Sequence, residues 1–180
     1  SEGDILSIQQ SLRDGSVDIL LTYDAGLWEE FDAEILAKAP PHVVLAESDP
    51  LAAKDRISLH DLTDHTLLFL NLPHSRNYVQ SLFERCGAKP GPLQRFESFE
   101  MVRSSAAAGL GAAILNIRPL TDNTYSGLPV ACRPLIEAEP SPNIVLATRR
   151  GSRISRRAQA FAAFCRQFFT TENARRLFVH

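Results

Sequence analysis

The sequence predicts an α/β fold of two Rossmann-like lobes joined by two crossover hinges, and three observations lead to this. Strand-like and helix-like segments alternate between residues 66 and 115, the pattern of right-handed parallel crossovers. The segments 17–23 and 111–115 are almost continuously apolar, as strands covered on both faces are. Turn-rich stretches near 47–65 and 134–142 bracket the middle part. A chain that leaves one lobe, builds a second and returns has its hinges at such stretches.

The individual elements follow from periodicity and from stop signals. Ile5, Ile8 and Leu12 share one face of a helix that Gly15 ends. In the last helix, four side chains are expected to face the core: Phe161, Phe164, Cys165 and Phe168. The predicted helices cover 4–14, 58–62, 75–86, 98–108 and 154–169, and the predicted strands or extended segments cover 17–23, 35–39, 43–46, 66–70, 93–97, 111–115, 130–136 and 143–148.

Composition excludes several classes of protein. The chain has 180 residues, 44% of them hydrophobic and 22% charged, with a net charge of −2, so no strong field attracts nucleic acid or membrane. Cys86, Cys132 and Cys165 are widely spaced, which favours buried thiols in a reducing compartment over a disulfide framework. A redox sensor, with Arg85 or Arg133 lowering a thiol pKa, is the alternative.

Motifs of metal, nucleotide and hydrolase sites do not occur in the sequence. The histidines lack zinc-binding spacing, and neither a phosphate-binding GxxxxGK[ST] loop nor a GxSxG elbow is present. We therefore predict no metal, no cofactor and no catalytic residue.

Polar residues follow predicted strands where helices begin. Residues 71–76 (NLPHSR) leave the strand 66–70 and open a helix, and residues 97–100 (ESFE) repeat that arrangement. Ligands of open α/β sheets lie beyond the carboxyl ends of strands, and helix starts attract anions. The alternative is a capped helix whose polar side chains are merely solvated. Thr22 and Tyr23 end the first strand and would be the other lobe's contribution, with a rim aromatic as the alternative for Tyr23.

A basic cluster precedes and enters the last helix. It could contact nucleic acid, or it could be a solvated face, which the negative net charge favours. Its members are Arg149, Arg150, Arg153, Arg156 and Arg157.

Four segments, in order and spacing, resemble the effector-binding domain of LysR-type transcriptional regulators over essentially the whole chain. Residues 2–4 (EGD) with 12–21 (LRDGSVDILL) are similar to the family's "L…L..G.lDlal" segment. Residues 43–52 (VVLAESDPLA) match "lvlv…HPLA", with Asp49 where His is usual, and residues 57–62 (ISLHDL) match "isl.dL". Residues 98–115 match "s…lVaaGlGiailp", with Asn116 in place of the usual proline.

The resemblance implies the fold of type 2 periplasmic binding proteins, with an effector between the lobes. Lobe I would be 1–62 with 137–180, and lobe II would be 63–136; the first strand and helix of lobe I would be missing. The candidate effector-binding residues are Gly3, Thr22, Tyr23, Asn71, Leu72, His74, Ser75, Arg76, Ser98, Phe99 and Asn116.

The resemblance also implies a function, the sensing domain of a cytoplasmic transcription regulator. A small effector would control DNA binding by a winged helix-turn-helix that this chain lacks, in a full-length homodimer or tetramer without membrane contact. Asn71, Ser75, Arg76 and Ser98 favour a small anion such as a carboxylate. One alternative is a solute-binding protein of a transporter. Another is an enzyme on the same fold, for which Glu97 and Glu100 are the only nearby carboxylates.

Overall fold

The computed structural model describes residues 3–180, except for the side chains of Pro73 and His74. It divides into two compact units. The first contains the chain up to Ala39 together with Ser141–Arg175, and the second contains Pro40–Pro140 together with Arg176–His180. The elements in chain order are α1 (Ile5–Asp14), β1 (Leu20–Tyr23), β2 (Phe31–Lys38), β3 (His42–Ala46), two 3₁₀ turns (Pro50–Ala53 and Leu59–Leu62), β4 (Leu67–Leu70), α2 (Pro73–Cys86), β5 (Leu93–Phe96), α3 (Phe99–Ala107), β6 (Ala112–Leu115), β7 (Val130–Pro134), β8 (Asn143–Arg149), α4 (Arg156–Phe169) and α5 (Glu172–Arg175).

The first unit is built on a three-stranded sheet in which β8 lies between β1 and β2 and is antiparallel to both. Helix α1 begins at Asp4, whose carboxylate accepts hydrogen bonds from the backbone N–H groups of Leu6 and Ser7. It buries Leu12 completely among residues of the sheet. The strand predicted over 17–23 is shorter in the structure, where β1 covers only Leu20–Tyr23. Its pairing within the described chain is antiparallel, with β8.

Helix α4 packs on this sheet through only part of the predicted face, since Cys165 is buried and Phe168 is half-buried. Ala162 and Cys165 are buried against Leu146, whereas Phe161 and Phe164 are 42% and 64% exposed. The prediction that Phe161 and Phe164 face the core was wrong. Small side chains at 158, 162 and 165 let the helix lie close to the strands, and this turns the larger rings outward.

The second unit contains a five-stranded sheet in the order β5-β4-β6-β3-β7. Strand β4 is parallel to β5 and β6, which confirms the parallel crossovers predicted between residues 66 and 115. Strand β3 is antiparallel to β6 and β7. Apolar clusters cover both faces: Leu82 and Phe83 of α2 lie on one face, and Val102 and Ala106 of α3 lie on the other.

The division between the units differs from the predicted lobes of 1–62 with 137–180 and of 63–136. Residues 40–62 belong to the second unit, because β3 pairs in its sheet and because the Glu137 carboxylate accepts hydrogen bonds from Ser58 Oγ (2.6 Å) and Leu59 N (3.0 Å). The chain leaves the first unit at Pro40, where two successive prolines interrupt the strand pattern.

The chain also enters the second unit at its end, which the sequence did not indicate. The backbone N–H of Arg118 donates to the Leu177 carbonyl oxygen (2.9 Å), and Phe178 and Val179 are buried. Within the described residues, none of the helices is both long enough and apolar enough to cross a bilayer.

Candidate functional site

The parallel strands of the second unit end together at one edge of its sheet, here called the carboxyl edge. Leu70 of β4 is directly opposite Phe96 of β5, and β6 runs parallel to β4 on its other side. Residues that follow these strands therefore meet at this edge, where ligands of open α/β sheets bind. Of the predicted site residues, those that follow β4, β5 and β6 lie here: Asn71, Leu72, Ser75, Arg76, Ser98, Phe99 and Asn116.

Asn71 and Glu97 form the central contact of the carboxyl edge. The backbone N–H of Asn71 donates to the Phe96 carbonyl oxygen (2.8 Å), which extends the β4–β5 pairing by one residue. Its side-chain Nδ2 donates to Glu97 Oε1 (2.7 Å), and both side chains are exposed. The sequence analysis named Asn71 as a candidate binding residue, but it named Glu97 only as a carboxylate for the alternative of an enzyme. The signal that could have found Glu97 is its position directly after β5, one residue before the helix.

Helices α2 and α3 both begin at the carboxyl edge without a side-chain cap. The N-cap residues are Leu72 and Ser98, and neither has a side-chain capping bond. By contrast, Asp4 and Ser155 cap α1 and α4 with their side chains. Backbone N–H groups in the first turns of α2 and α3 thus remain available to solvent or to an acceptor on a ligand.

Ser98 and Arg76 add free donors beside these helix starts. Ser98 occupies the N-cap position as predicted, but its hydroxyl has no hydrogen-bond partner in the described part of the chain. Arg76 lies exposed in the first turn of α2, and within that same part its guanidinium has no partner. Leu72 is 39% exposed, and Phe99 is partly buried against the apolar cluster that contains Val102 and Ala106 of α3. These two side chains provide apolar surface at the carboxyl edge. The predicted contact of His74 lies outside the described side chains.

Asn116 follows β6 and contacts a residue that the sequence did not single out. Its Nδ2 donates to the Tyr78 hydroxyl oxygen (3.4 Å). Burial raises the pKa of Tyr78 to about 12, with a further increase from the Glu139 carboxylate, so the hydroxyl stays protonated near neutral pH. Tyr78 is a neutral group that can donate or accept a hydrogen bond.

The remaining predicted residues belong to the first unit. Thr22 and Tyr23 end β1 and are half-buried, and Gly3 precedes α1. A side chain at Gly3 would crowd Ser7 Oγ, since a Cβ there would lie 2.6 Å from it. Beside Tyr23, the Asp24 carboxylate accepts hydrogen bonds from the N–H (2.8 Å) and Nδ2 (2.7 Å) of Asn143. The role of Gly3, Thr22 and Tyr23 in binding stays a prediction.

Cys132 and Cys165 do not have the electrostatics of a redox sensor. Burial raises the pKa of Cys132 to about 11, with a smaller contribution from the Asp122 carboxylate, and burial also raises the pKa of Cys165. These thiols are therefore protonated and weakly nucleophilic near neutral pH. In the described part of the chain, all three cysteines are free and no cluster of acidic, His and Cys side chains could hold a metal ion.

Two surface pockets lie away from the predicted residues. One, of about 490 Å³, lies in the second unit beside the start of β7 and is mostly polar, with Arg118, Asp122 and Arg133 in its lining. Within it, Arg118 contacts Asp122 (3.0 Å), and Arg133 Nη2 donates to the Ala52 carbonyl oxygen. The other, of about 330 Å³, lies in the first unit and has Glu34 and Arg166 in its lining, and these two form an ion pair.

Comparison with known protein families identifies the family of this chain. A family model described as the LysR substrate binding domain matches residues 1–170. The chain belongs to this family. The LysR substrate-binding domain has the type 2 periplasmic-binding-protein-like fold, so the predicted fold class is confirmed.

The LysR domain is similar to several known proteins. The C-terminal domain of a probable LysR family transcriptional regulator from Rhodococcus sp. RHA1 has a TM-score of 0.83 and 34% identity, over 91% of this chain and 81% of that one. HinK, a LysR family regulator from Pseudomonas aeruginosa, has a TM-score of 0.82 and 29% identity, over 94% of this chain and 58% of that one. The transcriptional regulator TtuA of Agrobacterium vitis is 30% identical over 93 residues, which are 50% of this chain and 31% of TtuA.

More distant structures share the fold and were determined with bound effectors. The effector-binding domain of QuiR, in complex with shikimate, has a TM-score of 0.76 at 22% identity, over 94% of this chain and 80% of that one. The effector-binding domain of BenM, with benzoate, has a TM-score of 0.75 at 18% identity, over 94% of this chain and 77% of that one.

Proposed function

We propose that this chain is the sensing domain of a LysR-type transcription regulator and that it binds a small carboxylate at the carboxyl edge of its second unit. One observation carries the proposal: two helices begin at this edge without side-chain caps, beside the free donors Ser98 and Arg76. Helix starts and a guanidinium favour a negatively charged ligand.

The wider role is proposed on the family and on its relatives. Effector binding would shift the population of two conformations, and a DNA-binding part of the regulator outside these residues would respond. The chain spans only 31% of TtuA, so the remainder of such a regulator would carry DNA recognition. A homodimer or tetramer in the cytoplasm is proposed for the full-length regulator.

An enzyme is disfavoured by the contacts of Glu100. Glu100 is not a free partner for Glu97, because its carboxylate accepts hydrogen bonds from Arg103 Nη1 (2.6 Å) and from the backbone N–H of Tyr125 (2.7 Å). An acid–base pair at this edge would need a second available group. The family match likewise favours a regulator over a transport protein.

The test is calorimetric titration of the protein with a library of small carboxylates. We expect at least one to bind, and we expect Arg76→Gln to weaken that binding about tenfold, because a charge-assisted hydrogen bond is lost. Arg85→Gln is the matched control: Arg85 is exposed in the last turn of the same helix, at the opposite end from Arg76. Absence of any carboxylate binding, or equal effects of the two substitutions, would refute the proposal.

A further inference from the structure

Glu97 is an unexpected group at an edge that otherwise offers hydrogen-bond donors. It lies exposed directly after β5, and its Oε1 accepts the hydrogen bond from Asn71 Nδ2 (2.7 Å). Its side chain has no other hydrogen bond or ion pair in the described part of the chain. Asn71 therefore holds one carboxylate oxygen, and the second has no partner among the side chains that the structure describes.

A fixed carboxylate changes which ligands this edge can accept. A plain carboxylate ligand would be attracted by Arg76 and by the helix starts, but it would be repelled by Glu97. A ligand that also carries a hydroxyl or ammonium group can turn that donor toward Glu97. The repulsion is then replaced by a charge-assisted hydrogen bond.

We infer that Glu97 determines effector specificity by accepting a hydrogen bond from a hydroxyl or ammonium group of the effector. The effector class is accordingly a small carboxylate that carries such a donor, rather than a plain carboxylate. This inference rests on the proposed function, since it concerns the same edge, and it adds the second functional group that the ligand must have. Asn71 is a positioning residue in this scheme, because it holds the Glu97 carboxylate in place.

The carboxylate library tests this directly when each plain acid is paired with its hydroxy and amino analogues, for example butyrate with 3-hydroxybutyrate and benzoate with 3-hydroxybenzoate. We expect the members that bind to carry the donor and to bind about tenfold tighter or more than their plain partners. We expect Glu97→Gln to weaken the donor-bearing members about tenfold while leaving plain acids unchanged or bound more tightly, because the repulsion is removed.

Glu84→Gln is the matched control, since Glu84 is exposed near the end of α2 and accepts a hydrogen bond from Gln80. Equal melting temperatures of the wild type and both variants establish that folding is intact. Plain acids that bind as tightly as their analogues, or a Glu97→Gln variant that weakens both members of a pair equally, would overturn the inference alone, provided that binding still depends on Arg76. Absence of Arg76-dependent carboxylate binding would overturn the proposed function together with it.

Discussion

His42 is a polar residue in an apolar place. It begins β3 and is completely buried, and within the described part of the chain neither ring nitrogen has a hydrogen-bond partner of good geometry. Burial, helped by the positive charge of Arg118, lowers the pKa of His42 to about 3, although the Pro40 carbonyl acts in the opposite direction. The imidazole is therefore neutral in the folded protein at ordinary pH.

The pKa of His42 predicts a pH dependence of stability. The unfolded chain binds a proton near pH 6.5 and the folded chain does not, so the free energy of unfolding decreases as the pH falls from about 6.5 towards 3. Between pH 8 and pH 5 the loss from this residue is about 2 kcal/mol by linkage. His42→Leu is expected to remove that part of the decrease, measured by urea unfolding at both pH values.

His60→Asn serves as the control for this measurement, because His60 is exposed. The free energy of unfolding of His60→Asn should depend on pH as that of the wild type does. The carboxylates are the same in the wild type and in both variants, so their contribution cancels in the comparison. If His42→Leu loses stability between pH 8 and pH 5 as steeply as the wild type, the depressed pKa of His42 is refuted.

At the scale of elements, local patterns predicted the helices and the parallel strands but not every strand partner. The order strand–helix–strand between residues 66 and 115 fixes β4, β5 and β6, because each crossover is local in sequence. Strand β3 pairs with β6 and β7, which lie about 70 to 90 residues further along, and hydrophobic periodicity carries no information about such a partner. Residues 40–62 were predicted to lie in one lobe with residues 1–39, whereas in the structure they pack in the second unit, which the chain enters at Pro40.

The C-terminal segment 176–180 makes a prediction at this scale. It bonds to the loop that follows β6, because Arg118 N donates to Leu177 O and Arg176 Nη2 donates to Leu120 O, and its own Phe178 and Val179 are buried. Deleting residues 176–180 removes the acceptor of the Arg118 N–H and two buried apolar side chains, and the loss of their burial costs about 3 kcal/mol. Hydrogen exchange should become faster in residues 116–122 and in β6, while α1 and β8 of the first unit keep their rates.

Deletion of His180 alone is the matched control, because that residue is exposed. The support by the segment would be disproved by unchanged exchange in residues 116–122 after the longer deletion. Faster exchange everywhere would indicate instead that the whole chain had lost stability.

At the scale of the whole molecule, the sequence predicted which candidate residues lie at one sheet edge better than it predicted the contacts between them. Asn71 and Ser98 were expected to meet because parallel strands end at one edge, and they lie there. The Asn71–Glu97 hydrogen bond depends on the side-chain conformations of two residues that follow different strands. The spacing of residues in the sequence does not encode these conformations. Tyr78 was missed for the same reason, since it reaches Asn116 from the second turn of a helix.

Charge is the property of the whole chain that bears on DNA binding. The chain has 19 Lys and Arg against 21 Asp and Glu, and part of its basic cluster is neutralised, because Arg150 pairs with Asp32 (3.2 Å) and donates to the Glu29 carbonyl. DNA affinity without base contacts depends on the number of phosphates neutralised. We therefore expect fluorescence anisotropy with a 30-base-pair duplex at about 0.15 M salt to give a Kd weaker than about 10⁻⁴ M.

Substitution of Arg153, Arg156 and Arg157 by Ala should leave this weak affinity unchanged. Micromolar binding that falls steeply with salt and disappears in the triple variant would contradict the expectation, because it would place a DNA-contacting surface on α4 and the loop before it. DNA recognition would then not be confined to other parts of the regulator. Weak binding in both proteins would agree with the proposal that these 180 residues bind an effector and that phosphate contacts lie elsewhere in the regulator.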